Sequence, residues 1–71
     1  MIYIIVEAYY SHKGKPTVTD PIYIPRNIIP YCIYERCVGE TFKKDIKYFD
    51  VYITIFSSFI DAKKYKEQLC A

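Results

Sequence analysis

Hydrophobic residues along this chain fall into three blocks separated by turn-forming and charged stretches. The first block, "IYIIVEAYY" over residues 2–10, is β-branched and aromatic and has no helix cap before it, so it predicts a strand. Alternation places Ile2, Ile4, Val6, Ala8 and Tyr10 on one face and Tyr3, Ile5, Glu7 and Tyr9 on the other. "SHKGKP" over 11–16 then reads as a turn, with Gly14 able to supply a positive φ. "TVTDPIYIP" over 17–25 reads as a returning strand. Pro21 has no amide proton for a ladder, so this strand lies at an edge or is broken into two pieces.

Residues 26–45, "RNIIPYCIYERCVGETFKKD", admit two readings. Asn27 or Pro30 could open a short helix running to Val38, with Gly39 just past its end. The alternative is a strand, since Tyr31, Ile33, Tyr34 and Val38 also favour sheets. We expect the helix. "IKYFDVYITIFS" over 46–57 predicts the last strand, with Phe49, Val51, Ile53 and Ile55 opposite Tyr48, Asp50, Tyr52, Thr54 and Phe56. A C-terminal helix follows, with Ser58 as its N-cap and Asp61 in the capping-box position. Its buried stripe is expected to be Phe59, Ala62, Tyr65 and Leu69, leaving Lys63, Lys64, Glu67 and Gln68 in water.

The order is β-β-(α)-β-α over one domain, residues 1–71. This predicts an α+β fold: a small three-stranded antiparallel sheet with a C-terminal amphipathic helix packed on one face. No repeat, linker or low-complexity tract interrupts it, and no family signature is present.

Composition sharpens this picture. With 71 residues the chain buries only a small core, yet 52% of it is hydrophobic and 18% aromatic. Either both sheet faces are covered or an apolar patch meets a partner. Net charge is +2, from 10 basic and 8 acidic residues, which excludes a dedicated polyanion binder. The start of the chain lacks a basic signal-peptide region, and its longest uncharged run, "VYITIFSSFI", is too short to span a membrane. A cytoplasmic protein with no membrane partner is expected. The three cysteines are expected to be reduced thiols. Abundant Ile, Tyr, Lys and Phe with little Gly or Ala imply AT-rich codons, which fits a viral or mobile-element source.

Each candidate chemistry meets a specific objection. Gly14-Lys15 resembles the end of a phosphate loop, but Tyr9 stands where the first Gly belongs and Pro16 where Ser or Thr belongs. A Cys₃His zinc set from His12, Cys32, Cys37 and Cys70 lacks a second close pair, so no metal or other cofactor is expected. The single histidine, His12, sits in a turn with no cysteine placed beside it. No catalytic residues are assigned, and a non-enzymatic protein is expected.

Binding remains. Tyr3, Ile5, Tyr9, Tyr48, Tyr52 and Phe56 share the face opposite the Ile/Val set. Tyrosine buries area while keeping a polar tip, so this face predicts a protein partner. A homodimer through the Tyr-rich face or a strand edge is expected, as is occupation of a surface on a larger host protein. The alternative is nucleic acid: single-stranded bases stacking on the same aromatics, with His12, Lys13, Lys15, Lys43 and Lys44 near the phosphates.

Overall fold

The computed structural model describes residues 2–10, 15–34 and 36–70, with the backbone alone at Cys32 and Tyr34. Strand β1 (Ile2–Tyr10) pairs along one side with both β2 (Thr17–Val18) and β3 (Ile22–Ile24). These two are one edge strand interrupted at Asp20-Pro21, where proline cannot donate to the ladder. Thr19 seals the break. Its amide donates to the Val6 carbonyl at 3.0 Å, and its Oγ1 accepts from the Val6 amide at 3.1 Å. On its other side β1 pairs with β5 (Phe49–Phe56) in an eight-residue register from Tyr3↔Phe56 to Tyr10↔Phe49. Strand β4 (Thr41–Ile46) completes the sheet in the order β2-β1-β5-β4, with β3 on the first residues of β1, Ile2–Ile4, and β2 further along at Glu7 and Ala8. Every pairing is antiparallel.

The fold class is therefore α+β with a C-terminal helix, α2 (Phe59–Cys70), but the sheet has five strands where three were expected. The predicted strand over 46–57 holds β5 and only the last residue of β4, the two joined by a tight turn at Lys47-Tyr48 with Ile46 opposite Phe49; the rest of β4 lies in the middle segment, where no strand was expected. Neither turn residue has positive φ, so this is not one of the primed hairpin turns that Asn-Gly announces. The middle segment is a 3₁₀ turn (Arg26–Ile28) and a single helical turn, α1 (Tyr31–Tyr34), rather than a helix to Val38. Gly39 takes φ +89°, and its amide and the Glu40 carbonyl extend the ladder to Ile55.

Cross-strand partners share a face, so the register fixes two layers. On the aliphatic face, Ile4, Ile55 and Phe42 pack with Ile33 of α1, flanked by Ile2, Val6, Ile24, Ile29 and Ile53. The Arg36 guanidinium lies 4.7 Å from the Phe42 ring centre and pairs with Glu40, closing α1 onto β4. On the aromatic face lies α2. Ala62 and Ile5 are both fully buried there, Phe59 meets Tyr3 edge-on at 5.8 Å, and Tyr65 meets Phe56 at 5.3 Å. Lys66 of α2 bonds Asp20 at the edge-strand break. The expected helix stripe is thus inward at Ala62, Tyr65 and Leu69, but Phe59 is 47% exposed. The helix starts so close to the end of β5 that its first turn overhangs the sheet.

Candidate functional site

The six residues of the predicted contact face divide into three groups. Tyr48 leaves the face altogether, because it sits in the β4–β5 turn, 60% exposed. Tyr3, Ile5 and Phe56 lie at the end that α2 covers, with Ile5 wholly buried. Tyr9 and Tyr52 remain half-exposed beyond the helix, their rings edge-to-face at 5.6 Å and 89°. Of the predicted phosphate contacts, His12 and Lys13 lie outside the described residues, and so does Gly14. Lys15, Lys43 and Lys44 are exposed. Of the zinc set, His12 and the Cys32 side chain lie outside what the structure describes, and Cys37 and Cys70 are exposed free thiols. Among the described residues no three His, Cys, Asp or Glu side chains gather as metal ligands do.

What the structure brings together is a site centred on Glu7, which interrupts an otherwise apolar strand. Glu7 is 5% exposed. Tyr65 donates to its Oε1 at 2.7 Å and Tyr9 to its Oε2 at 3.0 Å. Behind Tyr65, the Thr54 hydroxyl donates across 3.5 Å to the Tyr65 oxygen, and Thr41 and Thr54 share a 2.9 Å hydrogen bond. A threonine hydroxyl has one proton. With that of Thr54 aimed at Tyr65, Thr41 must donate to Thr54. The result is a one-way chain, Thr41 to Thr54 to Tyr65 to Glu7, met from the other side by Tyr9. A charged end-acceptor strengthens such a chain.

Both phenols hold their protons more tightly than usual. For Tyr9 the main cause is its hydrogen bond to Glu7, aided by desolvation. For Tyr65 burial leads, with the Glu7 bond and charge adding to it against the opposing bond from Thr54. A groove of about 400 Å³ opens onto this cluster, lined by Glu7, Tyr9, Thr41, Asp50, Tyr52 and Tyr65. At its mouth Asp45 and Asp50 are directly opposed in the ladder, and Lys43 bridges them at 3.5 and 3.6 Å. These two carboxylates, Asp45 first, push the Lys43 ammonium above its ordinary value. With Glu7 included, three carboxylates face one lysine here, which is a poor setting for phosphate.

The second exposed feature lies on the aliphatic face at the same end of the sheet. Tyr10, Phe49 and Ile46 form one cross-strand row and are 40%, 41% and 50% exposed. The Tyr10 and Phe49 rings are 5.1 Å apart. Beside this row runs the outer edge of β4, which no described strand pairs.

Comparison of the chain with protein-family models, with curated proteins and with solved structures finds no match. No described helix is long and apolar enough to cross a membrane.

Proposed function

We propose that this chain is a non-enzymatic protein-binding module that pairs with a second copy of itself along β4. The exposed row Tyr10–Phe49–Ile46, lying beside an unpaired strand edge, carries this reading. Surface area supports it. The chain exposes 5328 Å², roughly 700 Å² more than the area–mass relation gives for a monomer of 8.5 kDa. That excess is close to the roughly 800 Å² each partner contributes to a standard interface. A slab measuring 36 × 27 × 16 Å has this excess because it is one thin sheet with partial cover.

A two-fold axis perpendicular to the sheet keeps each face continuous across the junction, so only residues of like parity can meet. Centring the axis on Lys44 sets Lys43 against the partner's Asp45 and Phe42 against the partner's Ile46, each twice. Lysines within an edge discourage indiscriminate pairing. Here this is the one register in which Lys43 finds a carboxylate, and that pair, made twice, offsets the single Lys44–Lys44 contact on the axis. The larger host protein, if one is bound, competes for this same edge.

The covered rings of Tyr3 and Phe56 and the acidic groove mouth favour this reading over base stacking. Light scattering tests it. The chain should run as a dimer at about 100 µM, Lys43→Asp should make it monomeric, and Lys43→Asp with Asp45→Lys should restore the dimer. A wild-type monomer at that concentration, or a dimer indifferent to Lys43→Asp, rejects it. A mass that rises only when single-stranded nucleic acid is added, and falls with salt, supports the nucleic-acid alternative instead.

A further inference from the structure

Glu7 is a buried carboxylate without a counter-charge. Among the described residues no lysine, arginine or histidine lies within ion-pair distance of it; its two bonds come from neutral phenols. Buried charges are ordinarily paired. This one lies in the wall of an open groove of about 400 Å³, within the size range of small-molecule sites. Tyr9, Tyr52, Tyr65 and Thr41 line the rest of it, with Asp50 at the mouth. Aromatic faces with a carboxylate behind them are the surroundings that attract an organic cation.

We propose that this groove binds an organic ammonium ion, with Glu7 as its counter-charge and Tyr9, Tyr52 and Tyr65 as its aromatic walls. Alternatives fit the groove less well. An anion would meet Glu7 and Asp50. A neutral ligand would leave the buried charge as it is. A bare metal ion needs several free oxygen ligands, yet each Glu7 oxygen already accepts a phenol proton and Asp50 is bridged by Lys43. The Lys43 ammonium, 3.6 Å from Asp50, is the resident competitor at the mouth. The site lies on the face opposite the Tyr10–Phe49–Ile46 row but shares Lys43 with the proposed β4 pairing, so the titration is run at a concentration where light scattering shows a monomer.

The test is an NMR titration of the full chain with three probes: choline, its neutral carbon isostere 3,3-dimethylbutan-1-ol, and Nα-acetyl-lysine N-methylamide. At least one cation should saturate with a dissociation constant of about 1 to 10 mM, moving the ring signals of Tyr9, Tyr52 and Tyr65. The neutral isostere should bind about tenfold more weakly. Tighter choline binding identifies a free quaternary amine as the ligand class. Tighter binding of the lysine derivative identifies a protein lysine. Glu7→Gln should weaken the better cation about tenfold, and Lys43→Gln should tighten it roughly threefold. The proposal is overturned if neither cation saturates by about 100 mM, if the neutral isostere binds equally well, or if folded Glu7→Gln binds like wild type. Should Glu7→Gln not fold, Lys43→Gln decides. Its side chain is half exposed and the change is structurally mild, and unchanged or weaker binding there rejects the site.

Discussion

The two ends of this sheet contrast sharply. At the end where β1 begins and β5 finishes, both faces are covered: α1 supplies Ile33 to the aliphatic face and α2 supplies Ala62 and Tyr65 to the aromatic one. Ile5, Ile55 and Thr54 are accordingly almost without exposure. At the other end the β4–β5 hairpin runs past both helices. Tyr10, Phe49, Ile46 and Tyr48 are 40–60% exposed there, and Asp45 and Asp50 stand in water. The same strands thus serve as core at one end and stand exposed at the other. Buried contacts are concentrated where the helices lie, and exposed apolar and charged side chains collect where they stop.

The largest expected effect tests that division directly. Ile55→Ala removes a side chain that is 1% exposed and touches the Ile4–Ile33–Phe42 cluster. It should cost about 2–5 kcal/mol, enough to unfold a domain this small at ordinary temperature. Phe49→Ala deletes a larger side chain from the same strand but at the open end. Being 41% exposed, it should cost under about 1 kcal/mol in the monomer. Urea titrations of both variants, at concentrations low enough to keep the chain monomeric, check this. Comparable losses would mean that the open end is part of the core.

Tyr65 stands at the boundary between the two ends, so its removal should have an intermediate effect. Tyr65→Phe keeps the ring on Phe56 but deletes the proton donated to Glu7 and strands the Thr54 hydroxyl. A buried hydrogen bond to a charged group is worth about 1.5–3 kcal/mol, and a loss in that range is expected near neutral pH. The pH dependence separates the hydroxyl from mere packing. The folded chain holds the Tyr65 proton above the ordinary phenol value of 10.0. Below that value folded and unfolded chains are both protonated, and the contribution is complete. Above it the unfolded chain loses its proton first, so stability falls as pH rises through the folded value. Wild type should therefore lose stability in alkali more steeply than Tyr65→Phe. Parallel curves would exclude Tyr65 as a source of that loss.

What the sequence announced and what it concealed follow the same division. Strand β1 was legible because seven of its nine residues favour sheets, and the broken edge strand because Pro21 cannot join a ladder. The C-terminal helix was legible from its apolar spacing. Strand β4 was concealed by its composition. Thr-Phe-Lys-Lys-Asp-Ile has one buried residue, Phe42, and is held in the sheet by pairing with β5 rather than by its own propensity. The hairpin turn was concealed because Lys47-Tyr48 is not a turn dipeptide. Alternation separated the two faces along β1 and β5 but wrongly kept Tyr48 on the aromatic one, where a turn intervenes. It could not say which face the helix would take, because both faces are apolar. The Glu7 site did leave a trace. A lone carboxylate in the middle of an apolar strand, two residues before a tyrosine on the same face, calls for a partner from elsewhere in the chain. That partner, Tyr65, is 58 residues away in sequence, beyond any spacing rule.

The smallest expected effect belongs to the ion pair that looks most deliberate. Lys66 of α2 bonds Asp20 at the break between β2 and β3, and each lowers or raises the other's proton affinity in the sense of a true pair: the Lys66 bond holds the Asp20 carboxyl below its usual range, and the Asp20 bond holds the ammonium above its own. Yet Asp20 is 86% exposed, so water screens the attraction and ordering the long lysine chain offsets much of it. The helix is already fixed to the sheet by Ala62, Tyr65 and Phe59. Asp20→Asn should therefore leave the urea midpoint within error of wild type at neutral pH. The outcome bears on the two ends, because Asp20 anchors the covered one. A clear loss of stability on Asp20→Asn would show that α2 is held at its outer edge by charge, and that the covered end owes less to its dry contacts than the burial of Ile5 and Ala62 implies.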